Sequence, residues 1–200
     1  MFAFVALITG FSAWAQLDDS QPRGQQTWTF TSPSNVQEHC YATKSFPGFT
    51  MSENQRAKDF KDESRLCQID FYQAGALNTA VCPKLSSTNP GVEVFEMEGE
   101  DKFDTFQNTQ CALKDGPDRD KIAKFKSSVS CSNTSSIIGY YHLSRIIDTN
   151  SKVPVSVIRT MDLTFHLKLR DLALELLGKF GKAGDLIFAT WKGSWGAAYN

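Results

Sequence analysis

KIAKFKSSVSCSNTSSIIGYYHLSRIIDTNSKVPVSVI, residues 121–158, changes its hydrophobic period twice, and those changes decide the fold. From Lys121 to Ser128 the period is two: Ala123 and Phe125 share one face, and Ile122, Lys124 and Lys126 share the other, which predicts a strand. From Thr134 to Ile147 the period lengthens. Ile137, Ile138, Tyr141, Ile146 and Ile147 form a broad apolar face, a serine or threonine at 134–136 supplies the N-cap, and Asp148-Thr149-Asn150 stops the helix. Val153 to Ile158 is β-branched, and Pro154 suits the first position of a strand or an edge.

Working outward, Leu66–Tyr72 and Leu77–Pro83 read as strands joined by a two-residue turn at Ala74-Gly75. In that register Cys67 falls opposite Cys82, at a separation that suits a disulfide. Asn89-Pro90-Gly91 turns the chain into a strand at Val92–Met97, and Asp115-Gly116-Pro117-Asp118 is a second turn. After Asp162, which suits an N-cap, the leucines up to Gly178 fit a helix better than the competing alternation at Leu163, Phe165, Leu167 and Leu169. The expected fold is therefore α+β: an antiparallel β-meander with one main packed helix, occupying 61–200. Residues 16–60 read as an irregular, polar N-terminal extension. The apolar tail from Leu186 to Trp191 has no polar close, which predicts a chain continuing beyond Asn200.

The opening Met1–Ser12 is apolar and uncharged, and Ala13-Trp14-Ala15 follows it, so residues 1–15 read as a signal peptide cut after Ala15. That predicts a secreted or periplasmic protein with no membrane span after cleavage. All five cysteines (Cys40, Cys67, Cys82, Cys111 and Cys131) lie beyond the cut, where disulfides are the default. No CxxC pair offers a metal site. The 21 Lys+Arg balance 22 Asp+Glu, which argues against nucleic acid as a partner.

No hydrolase elbow, Walker loop, HExxH or GxGxxG occurs, and His142 and His166 read as structural, His166 beside Asp162. Three stretches remain: Lys124-Phe125-Lys126, Tyr140-Tyr141-His142-Leu143-Ser144-Arg145-Ile146-Ile147, and Val153-Pro154-Val155-Ser156-Val157-Ile158-Arg159. Together they resemble the N-lobe of atypical kinases of the secretory-pathway and HipA-like kinds. With Cys82-Pro83-Lys84, Ser87-Thr88-Asn89-Pro90-Gly91 and Arg159-Thr160-Met161-Asp162 they are also similar to a family of exported bacterial proteins. The kinase resemblance implies ATP with Mg as cofactor, with Lys126 on the phosphates and Lys124 as the alternative. The helix 134–147 contains no Asp or Glu to hold such a lysine, and no catalytic-loop or metal-binding Asp is recognisable. The resemblance therefore implies a phosphotransferase N-lobe inactive by itself, with the anion facing Lys126 supplied by Glu93, Glu96 or a bound phosphate. The alternative is a non-catalytic, disulfide-stabilised extracytoplasmic binding module, with Trp28, Trp191 and Trp195 as candidate interface aromatics.

Overall fold

A computed structural model describes residues 26–42, 53–72, 79–97, 103–127, 135–147 and 153–197. The signal peptide, the Ala74-Gly75 turn and Cys131 lie outside the described residues. No helix among the described residues is long and apolar enough to cross a membrane.

The fold is α+β, built on two antiparallel three-stranded sheets. The first begins as a hairpin of β1 (Gln26–Thr31) and β2 (Gln37–Ala42). Ser32 closes its turn: its N–H donates to the Val36 carbonyl at 2.9 Å, and Asn35 takes the left-handed conformation that a short polar side chain tolerates. β2 then pairs with β6 (Ile158–Arg159) from much later in the chain. The second sheet is the expected meander, β3 (Thr79–Pro83), β4 (Gly91–Glu96) and β5 (Lys121–Lys126). At Gly91 β4 lies close against β5; a β-carbon there would collide with the Phe125 carbonyl oxygen.

Among the described residues five helices accompany the sheets: α1 (Glu53–Cys67), α2 (Phe103–Thr109), α3 (Ser135–Ile146), α4 (Leu163–Lys179) and α5 (Leu186–Ala197). Asp162 caps α4 as expected, accepting from the Thr164 N–H at 2.8 Å. At the other end Gly181 has φ +73, and the Lys182 N–H reaches back to the Leu177 carbonyl at 2.8 Å, a Schellman-type close that only glycine adopts without strain. Leu169, Ala173, Leu176 and Leu177 form the buried stripe of α4. Leu169 packs with Val81, Val92, Val94 and Phe71, whereas Leu176 packs with Ala80, Cys82, Phe95 and Phe106. α5 covers the remainder through Trp191, which is fully buried against Ala173 and Leu177.

Three expectations are corrected. Residues 16–60 are not uniformly irregular, for they contain β1, β2 and the first turns of α1. Cys67 does not pair with Cys82. It ends α1, where the Gln68 N–H closes the last turn on the Ser64 carbonyl at 3.0 Å, and the Asp70 side chain then accepts from the Tyr72 N–H in a tight turn instead of a strand. The bridges are Cys40–Cys67 and Cys82–Cys111, with Cα separations of 5.6 Å and 5.3 Å. They close loops of 27 and 29 residues, each stabilising the fold by about 3.5 kcal/mol in the chain-entropy treatment. Finally, residues 153–157 run without regular structure, and only Ile158 and Arg159 join a sheet.

Candidate functional site

Lys124 and Lys126 lie where the sequence places them, on one face of β5, and both are exposed. The carboxylate expected beside Lys126 is engaged elsewhere: Glu93 accepts from Lys121 at 3.0 Å. The strand register brings in a third cation that the sequence reading passed over. The Lys84 N–H, just past β3, donates to the Gly91 carbonyl at 2.9 Å, and Gly91 is the register partner of Lys126. Lys84, Gly91 and Lys126 therefore form one row across three strands, with Cys82, Glu93 and Lys124 in the next. Two strand spacings put the Lys84 and Lys126 backbones about 10 Å apart. Gly91 between them carries no side chain.

Lys84 is only 6% exposed, unusual for a lysine without a counter-ion. Burial pushes its pKa below the ordinary lysine value, Lys124 and Lys126 push it further, and Glu93 alone among the closer groups opposes them. Among the described residues, none of these three lysines makes an ion pair within 4.0 Å. Among the described residues, Glu93 is the one carboxylate that opposes the lowering of the Lys84 pKa, and it is shared with Lys121.

On the other side of β5 lies a groove of about 940 Å³, walled by β5, the end of α1, α3 and the stretch 154–161. Its lining is apolar at Phe71, Val92, Ile137, Ile138 and Met161, and Arg65, Lys124 and Lys126 outnumber Asp62 along it. The lysine rim and the apolar walls together are the setting in which small ligands and peptides bind.

Other polar residues that the sequence singled out are structural. Tyr141 and Arg145 tie α3 to α1: the Tyr141 hydroxyl lies 2.9 Å from Glu63 and 3.2 Å from Asp59, and Arg145 grips Asp59 through two bonds of 2.7 Å and 3.1 Å. Arg159 is buried between the rings of Phe30 and Phe71, at 4.7 Å and 3.9 Å, with Glu38 as its counter-charge at 3.9 Å. Burial lowers the Arg159 pKa to about 10 and raises that of Glu38. Glu38 also accepts from the Asp162 N–H and from the Tyr72 hydroxyl. The Ser32 hydroxyl donates to Asp162 at 2.7 Å and holds that carboxylate below the usual range. His166 is pushed down to about 4 by burial, against the pull of Asp162, and is neutral at pH 7. Trp28 and Trp191 are core residues, not interface aromatics. Among the described residues no group of three or more acids, histidines or cysteines could hold a metal ion.

No protein-family model, curated protein or solved structure matches this chain.

Proposed function

We propose that the chain is a disulfide-stapled extracytoplasmic binding domain, without catalysis of its own, that holds an anionic ligand on Lys84, Lys124 and Lys126. The observation that carries this reading is the row Lys84–Gly91–Lys126: a buried lysine and an exposed one flank a residue with no side chain, and among the described residues neither forms an ion pair within 4.0 Å. A buried ammonium with like-charged neighbours is stabilised by an arriving anion, and a phosphate fits such a cradle. The two disulfides support the oxidising compartment.

A second reading makes the anion ATP with Mg, and the domain the N-lobe part of a kinase-like phosphotransferase, inactive alone. It is favoured by Asp62 of α1, which lines the same groove as Lys124 and Lys126 and supplies the carboxylate that α3 lacks. Thermal melting with inorganic tripolyphosphate and with Mg-ATP separates the readings. A rise with tripolyphosphate, lost in Lys124→Ala/Lys126→Ala, supports the anion site. A larger rise with Mg-ATP, lost in Lys126→Ala alone, supports the nucleotide. No shift with either anion overturns both.

A further inference from the structure

Among the described residues, β5 is an edge strand of the second sheet and β6 an edge strand of the first. Both border the same groove. On each side the groove is lined by consecutive residues, 122–127 and 154–161, rather than by every second one. A strand that presents a face to a cavity contributes alternate residues; one that presents its backbone edge contributes all of them. The ladder confirms the orientation. The Ser127 N–H donates to the Pro90 carbonyl at 3.0 Å, so the backbone groups of Ser127, Phe125 and Ala123 turn toward β4. Those of Lys124 and Lys126 turn outward, toward the groove. Likewise the Thr160 N–H donates to the His39 carbonyl at 2.8 Å, which turns the backbone of Arg159 away from β2.

We propose that the groove takes an extended peptide of alternating acidic and apolar residues, which adds to β5 as a fourth strand of the second sheet. Main-chain bonds to Lys124 and Lys126 supply affinity, and alternate side chains supply specificity. On one face the peptide's acidic residues stand across from Lys124 and Lys126 as cross-strand partners. On the other its apolar residues meet Phe125, Val92 and Ile138. A second copy of this chain fits poorly, since β5 against β5 sets lysine opposite lysine. The acidic half of the motif rests on the anion-binding reading above; the strand addition rests on β5 being an edge strand among the described residues.

The test uses the full disulfide-bonded chain and three synthetic peptides: Glu and Val in alternation over seven residues, the same with Lys for Glu, and the Glu-Val peptide N-methylated at every second amide. Amide hydrogen exchange is followed by NMR. The Glu-Val peptide slows exchange at Lys124 and Lys126 at least tenfold and leaves Phe125, already bonded to β4, unchanged. The Lys-Val peptide binds at least tenfold more weakly, and the N-methylated peptide fails to bind. Equal binding of the N-methylated peptide overturns the proposal, as does binding that leaves Lys124 and Lys126 unprotected. If no peptide binds while tripolyphosphate still raises the melting temperature, strand addition falls and the lysine site stands. If neither acts, both fall.

Discussion

The two sheets treat buried charge in opposite ways. In the first, Arg159 and Glu38 are both almost wholly enclosed, and each faces an opposite charge and aromatic or hydroxyl neighbours from three separate parts of the chain. In the second, Lys84 is enclosed with two further lysines beside it and one shared carboxylate. A charge whose partners are built in is a structural tie; a charge left without them is a site awaiting its partner. If that contrast is real, substitutions in the first sheet change stability, and substitutions in the second change binding.

The strongest way to break the contrast is Arg159→Met. It leaves Glu38 buried without its cation, and urea unfolding at pH 7 should show a loss of about 3–5 kcal/mol. Adding Glu38→Gln should restore part of that loss, because the orphaned charge is removed with it. A loss under 1 kcal/mol would show that the pair is as dispensable as a surface bridge.

Next in size are the bridges, one tying the first sheet to the end of α1 and the other tying the second sheet to the turn after α2. Non-reducing peptide mapping should find Cys40 joined to Cys67 and Cys82 joined to Cys111. Removing either pair as a double alanine variant should lower stability by about 3.5 kcal/mol. Recovery of a Cys67–Cys82 peptide would overturn the placement of α1 against β2.

His166 supplies a pH test. Its folded pKa of about 4 lies below the ordinary 6.5, so the folded state binds its proton less readily than the unfolded chain. Its stabilising contribution is complete above pH 6.5 and is lost as the pH falls through 4. The shift corresponds to roughly 3 kcal/mol between those limits. The ordinary His titration in the unfolded chain sets the upper limit of the window. In His166→Gln the stability curve should flatten across it; an unchanged slope would assign the pH dependence to other groups.

How much of this was legible in the sequence depends on what each element buries. β4 and α4 bury apolar residues at regular spacing, β5 keeps its alternation with Ala123 inward, and Asp162 announces the start of α4. β2 and the helix α1 escape because their inward stripes are polar or small. β2 buries Glu38, Cys40 and Ala42, and α1 buries Asp59, Glu63 and Cys67. Their partners, Arg159, Tyr141 and Arg145, come from distant parts of the chain, so hydrophobic period cannot reveal them. Disulfide partners were unreadable for the same reason, since they follow from α1 lying against β2. The lysine site was half legible. Lys124 and Lys126 follow from alternation, and Lys84 was reachable by pairing β3 with β4 around the turn at Asn89-Pro90-Gly91, which sets it opposite Gly91.

The smallest expected effect on stability is also the most discriminating. Lys84→Met keeps the length and apolar stem of the side chain and removes a charge that burial, Lys124 and Lys126 all disfavour. If Lys84 were a structural lysine, its loss should destabilise the fold, as losing Arg159 does. If it is half of an anion cradle, the variant should melt at the wild-type temperature or slightly above it, a gain below about 1 kcal/mol, because an uncompensated buried charge has gone. The stabilisation by tripolyphosphate should vanish in the same variant. The depressed pKa adds a sign to the comparison: raising the pH deprotonates Lys84 in the wild type before the ordinary lysines, so the melting difference between wild type and Lys84→Met should shrink as the pH rises toward the ordinary lysine range. A variant that melts several degrees lower and still responds fully to tripolyphosphate would place Lys84 with the structural charges of the first sheet.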